Sequence, residues 1–121
     1  MQAKAASADL ANVRAAVRDF VADGTGLDEA SQAQALVFNR LHLEAPVALL
    51  DEARRVLHPG GGVAVIHWRS DIPTPRGPSR AIRPTPEQCA AWLAEAGFTA
   101  IRTIDLSDCC PYHFGLVATR P

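Results

Sequence analysis

Residues 46–68 read PVALLDEARRVLHPGGGVAVIHW, a helical pattern that passes through a glycine turn into an unbroken apolar run. Pro46 suits the first turn of a helix, where its missing N–H costs nothing. Val47, Leu50, Ala53 and Leu57 make one apolar stripe, with Asp51, Glu52, Arg54 and Arg55 facing out. Asp51 and Arg55 are four residues apart, a pairing worth about 0.3 kcal/mol. Pro59 disfavours helical backbone at His58, so the helix is predicted to end there and Gly60-Gly61-Gly62 to reverse the chain. Val63 to Ile66 contains no polar residue before His67 and Trp68. A strand this apolar needs cover on both faces, which predicts a central, parallel strand. Ala35-Leu36-Val37-Phe38, just upstream, reads as its buried partner. The intervening helix is then a right-handed crossover, and the fold class is α/β.

Toward the C-terminus, Ser70 to Pro84 is a long Pro/Arg-rich stretch without periodicity, and loops of that length are either functional or mobile. Thr85-Pro86-Glu87-Gln88 carries an N-cap, a proline at N1 and a glutamine at N3, a near-complete capping box. Cys89, Trp92, Leu93 and Ala96 form the buried stripe of that helix, and Gly97 stops it. Phe98 to Leu106 and His113 to Thr119 read as two strands. The short turn between them forces antiparallel pairing. Toward the N-terminus, Leu10 to Asp23 fits two periods. Leu10, Val13, Val17 and Phe20 have helical spacing, while Val13, Ala15 and Val17 alternate with polar neighbours as in a strand. The turn cluster Asp23-Gly24-Thr25-Gly26 favours a strand that ends before it.

Composition excludes several functions. The 121 residues make one domain, 48% hydrophobic and 21% charged, with a net charge of -1 at pH 7. A generic nucleic-acid binder needs a basic excess that this chain lacks. No stretch approaches the roughly 20 apolar residues of a membrane span. The opening residues lack an apolar signal core, and three cysteines, two of them adjacent, do not make a disulfide framework. The expectation is a reducing, cytoplasmic setting.

Arg55-Val56-Leu57-His58-Pro59-Gly60-Gly61 followed by a Val/Ile strand resembles a hallmark of class I S-adenosylmethionine-dependent methyltransferases of the type 11 kind. So do Ala96-Gly97-Phe98 after a capped helix and the closing hairpin. Asp23-Gly24-Thr25 and Ala35 to His42 resemble that family's adenine-side loop and its fourth strand. The resemblance implies a partial Rossmann-like sheet of about five strands, mixed, with the last antiparallel and helices flanking it. The family's opening strand, its glycine-rich loop and the acidic residue that holds the ribose have no counterpart here. Gly60-Gly61-Gly62 precedes a strand instead of following one, so it is a turn and not a phosphate cradle. Residues 1–121 thus resemble the C-terminal two-thirds of a methyltransferase domain.

The resemblance implies methyl transfer from S-adenosylmethionine to a small-molecule acceptor. The alternative is an inactive remnant that serves as an oligomeric binding or scaffolding protein; a fragment of a longer enzyme is a third reading. The two strands without counterparts belong at the sheet centre, beside the strand at Leu36. That strand is left with a bare apolar edge of the kind that recruits other chains. Homodimerisation, a covering helix, or a polypeptide supplied in trans would each relieve it, and a dimer is the expectation.

By resemblance, Asp23 and Gly24 lie near the adenine, and Phe38 and Asn39 border the methionine portion of the cofactor. Asp-Gly serves equally well as a plain turn. His42, with Glu44, and His67, with Trp68, fall at strand C-terminal ends, where open α/β sheets bind ligands. Either histidine suits general-base work near neutral pH, and core packing is the plainer role for each alone. Trp68, Arg69, Arg76 and His113 are the candidate acceptor-binding residues. With Arg80 and Arg83, the two loop arginines suit a carboxylate or phosphate, or a solvated loop. Cys109-Cys110 with His113 lacks the spacing of a zinc site, so no metal is expected. Cys89 belongs to the core.

Overall fold

The computed structural model describes residues 10–121. In chain order these form α1 (Phe20–Asp23), β1 (Gln32–Phe38), α2 (Pro46–Val56), β2 (Leu57–Trp68), a single 3-10 turn at Arg80–Ile82, α3 (Pro86–Glu95), β3 (Thr99–Ile104) and β4 (His113–Thr119). The four strands make one mixed sheet in the order β1-β2-β4-β3. β1 and β2 run parallel through α2, with Val37 beside Val65 and Phe38 beside Ile66. β4 runs antiparallel to β2 and also to β3, the latter as their short connection requires.

Pro46 occupies the first turn of α2, and Leu50, Ala53 and Val56 are its buried residues. The helix closes at Val56, earlier than expected. Leu57 already belongs to β2, and residues 58–62 run on into the strand instead of forming a free reversal. Arg120 makes the abrupt change possible. Its Nη1 donates to the carbonyls of Arg54, Arg55 and Leu57, while Ala30 and Ser31 N–H donate to those of Arg55 and Val56, so the carbonyls at this helix end find partners. α3 shows the expected box: Thr85 Oγ1 accepts from Gln88 N–H at 3.1 Å, and Gln88 Oε1 accepts from Thr85 N–H at 2.9 Å.

Both long helices contribute to one core cluster. Leu50 and Ala53 of α2 and Cys89 and Leu93 of α3 meet Val63 and Val65 of β2 and Leu116 and Ala118 of β4. The Cys89 thiol is wholly buried, and burial pushes its pKa up to about 12, which makes it a packing residue. The expectation that β2 is covered on both faces is corrected. Leu36 and Phe38 share the other face with Ala64 and Ile66, and they are 65% and 45% exposed. β1 is also an edge strand, as the resemblance implied.

Five strands were expected and the described residues form four, because Leu10 to Asp23 is not a strand. Residues 13–19 have no regular structure, and Val17 is fully exposed. A strand exists by pairing, and no strand of this sheet lies against these residues. Asp19 instead caps the single turn α1, its Oδ1 accepting from Val21 and Ala22 N–H at 3.1 Å.

Candidate functional site

The C-terminal ends of the parallel strands β1 and β2 point the same way, so the residues that follow them meet. Asn39 leaves β1 with φ 57, its N–H donating to Ile66 O at 2.7 Å. Its Oδ1 accepts from Trp68 N–H at 3.1 Å, continuing the ladder with a side chain. That contact holds the loop 39–45 over the end of β2 and brings His42 to His67, Nδ1 to Nε2 at 3.0 Å. His67 is completely buried, packed near Phe114 with ring centroids 6.2 Å apart. His42 is half-buried, its ring edge-on to His67.

Both rings favour the neutral form. Burial, then the Arg40 charge, lowers the His42 pKa below 6.5. Burial lowers that of His67, with smaller contributions in the same direction from His42, Arg83 and His113, while its bond to the Trp68 carbonyl pulls the other way. His113, on β4, is also lowered by burial and by Arg83.

On the opposite face of the sheet, Trp68 lies against His113 with ring centroids 4.1 Å apart. Residues 70–84 fold around this pair. Gly77, at φ 101, lies so close to the indole that a Cβ there would sit 2.9 Å from Trp68 Cδ1. Arg83, only 8% exposed, donates through Nε, Nη1 and Nη2 to the carbonyls of Pro78, Arg69 and Arg76 at 2.9, 2.8 and 3.2 Å. Its guanidinium also lies 5.9 Å from the centre of the Trp68 ring. This stretch is therefore an organised wall. Arg69 is tied by Nη2 to Asp71 at 2.8 Å and by Nη1 to Pro111 O. Arg76 is an exposed residue whose carbonyl serves the Arg83 clamp.

Asp23 and Gly24 stand apart from the histidines, against the middle of α2. Glu52 of that helix accepts from Thr25 N–H at 2.8 Å and from Thr25 Oγ1–H at 2.9 Å. Arg55, which the spacing assigned to Asp51, pairs instead with Glu52 at 2.7 Å. Gly24 has φ 64, and a Cβ on it would lie 3.0 Å from Glu52 Oε1, so the turn is built for glycine. A depression of about 400 Å³ lies between residues 16–21 and the start of α2. Its walls include Arg40, Leu43 and Glu44 but neither histidine. A second of about 210 Å³ follows the open edge of β1 past Gln34, Leu36 and Thr25. Among the described residues there is no group of three or more metal-ligating side chains, and no helix is long and apolar enough to cross a membrane.

Sequence reasoning brought His42 to His67 through strand topology, whereas the contact of Trp68 with His113 follows from the β2–β4 pairing, which it did not foresee. It missed the separate roles of Arg83 and Glu52. The signal for Arg83 was available: Pro73, Pro75, Pro78 and Pro84 remove N–H donors from the loop, and the surplus carbonyls call for a multidentate donor.

A sheet ordered β1-β2-β4-β3, with one parallel crossover and a closing antiparallel hairpin, is the C-terminal portion of the class I S-adenosylmethionine-dependent methyltransferase fold. Solved structures bear this out. A SAM-dependent methyltransferase from Aquifex aeolicus superposes with a TM-score of 0.84 at 21% identity, over 99% of this chain and 61% of its own. A type 11 methyltransferase structure from Sulfolobus solfataricus gives 0.65 at 28% identity, over 82% of this chain and 56% of its own. The [4+2]-cyclase SpnF gives 0.75 at 17% identity, over 99% and 60%. This chain thus spans about three-fifths of each of those proteins. No family profile and no curated protein matches the sequence.

Proposed function

We propose that this chain is the acceptor-side portion of an S-adenosylmethionine-dependent methyltransferase acting on a small-molecule acceptor. The observation that carries the reading is the histidine pair at the C-terminal ends of β1 and β2, inside a fold shared with methyltransferases. Asp23 and Gly24 would hold the adenine side of the cofactor, with Phe38 and Asn39 beside its methionine portion. These residues suit one side of the group. Phe38 offers a 45% exposed ring at the strand end, and Glu52 holds the turn at residues 23–26 in place through Thr25 and its close fit to Gly24. The sequence offers no glycine-rich strand-to-helix turn for the other side. A full grip therefore calls for further polypeptide, from a longer chain or a partner.

Bound S-adenosylmethionine supplies an electrophilic methyl group on a sulfonium. The residues of this chain position the acceptor and manage its proton. Trp68 and His113 offer an aromatic wall, Arg69 and Arg76 offer charge at its rim, and His42 with His67 provides the base. A cytoplasmic setting is part of this reading.

The bare edge of β1 and the exposed Leu36 and Phe38 favour a second reading, an inactive remnant that binds or scaffolds as a homodimer through that edge. Titration calorimetry with S-adenosylmethionine and S-adenosylhomocysteine separates the two. Micromolar binding by the chain, alone or in its assembly, supports a surviving or shared donor site; silence in both states supports the remnant or a fragment of a longer enzyme.

A further inference from the structure

The hydrogen bonds at the histidine pair determine which nitrogen carries each proton. His67 Nδ1 lies 3.1 Å from the Trp68 carbonyl, which can only accept, so Nδ1 bears the hydrogen. His67 is wholly buried, which favours a neutral ring, and its Nε2 is therefore a bare acceptor. The nitrogen facing it at 3.0 Å, His42 Nδ1, must then be the donor. That leaves His42 Nε2 with its lone pair on a ring that is only half-buried.

We propose that His42 is the proton acceptor of this site, through Nε2, and that His67 is a positioning residue that fixes the His42 tautomer by accepting its Nδ1–H. The inference rests on the methyltransferase reading only for its substrate class: an acceptor whose nucleophilic atom must shed a proton, as a hydroxyl or acidic N–H does, and not a thioether or a tertiary amine. In the step itself the X–H bond breaks, the proton goes to His42 Nε2, and the bonding pair stays on X. His42 becomes an imidazolium that still donates Nδ1–H to His67, so the buried ring never carries the charge. The Trp68 carbonyl anchors the chain of donors at its far end. The charged and titratable groups around the pair are Arg40 on the same loop, His67 on β2 and, behind it, His113 on β4 and Arg83 from the 70–84 wall. All of them are cationic or neutral, so the acceptor ring is held ready in its unprotonated form at neutral pH.

Two measurements that need no methyl donor test this. Long-range nitrogen–proton correlation spectra of the intact chain above the His42 pKa should show both His42 and His67 protonated at Nδ1 and bare at Nε2. Diethyl pyrocarbonate, which acylates unprotonated imidazole nitrogen, should modify His42 and spare His67, with a rate that rises through a midpoint below 6.5. His67→Gln, which keeps an acceptor oxygen, should preserve the His42 tautomer, and His67→Phe should lose it. A His42 signal protonated at Nε2, modification of His67, or a midpoint above 6.5 overturns the proposal. If His67→Phe does not fold, the spectra of the unmodified chain still decide. Calorimetric silence toward S-adenosylmethionine would count against a donor site held by this chain and leave the tautomer result intact, so the two failures are distinguishable.

Discussion

Single side chains settle matters here that periodicity leaves open. Glu52 is the clearest case, because four donors converge on its carboxylate, two from Thr25 and two from Arg55. The Arg55 hydrogen bond, with smaller help from Thr25, holds its pKa down at about 2, against the opposing pull of burial. That value lies below the 4.5 of an unperturbed glutamate, so the stabilisation is whole above pH 4.5 and is lost as pH falls toward 2. Glu52→Gln should flatten the fall in stability across that window, read by chemical denaturation; equal slopes in the two proteins would count against the assignment. Arg83 answers to a different physics. Replacing it with Met leaves the Pro78 and Arg69 carbonyls without this donor, the Arg76 carbonyl keeping Thr74 Oγ1–H, and should cost about 1–3 kcal/mol. Proteolytic cutting within residues 70–84 should speed up in that variant. An unchanged digestion rate would mean that the wall stands without its clamp.

Elements were legible in proportion to how local their determinants are. The Thr85 box, Pro86 and Gly97 delimit α3 from sequence alone, because each acts within one turn. β2 and the β3–β4 hairpin were equally clear, since a long apolar run and a short connection leave few alternatives. The segment from Leu10 to Asp23 was not. Its alternation resembles a strand, but a strand depends on a neighbour that local sequence does not encode. The end of α2 was misplaced because Arg120, more than sixty residues away, caps it. Leu93, fully buried between α3 and the sheet, offers a measure of that packing. Leu93→Ala should lower stability by about 2–5 kcal/mol in urea unfolding. Thr85→Ala should cost only about 1 kcal/mol, as loss of a cap does.

At the scale of the molecule, the described residues form a sheet with helices on one face and β1 at its edge. The candidate site was half legible. Parallel strands put His42 and His67 at neighbouring ends, and that much follows from a crossover helix. The pinning of Gly24 by Glu52 depends on tertiary contacts and was not readable. If the proposed dimer forms across β1, sedimentation should show mass rising with concentration. Leu36→Lys, which puts charge on a residue 65% exposed in the single chain, should shift the equilibrium toward monomer without unfolding it. A monomer at every concentration would retire the dimer and leave a covering helix or further polypeptide as the means of covering that edge.

The stacking of Gly77, Arg83 and His113 around Trp68 also gives the protein a built-in optical gauge. With Trp92 changed to Phe, the remaining indole would emit from between the loop and an imidazole. Its fluorescence would then follow, without any label, each departure of the proline-rich segment from its seat and each proton taken up by His113.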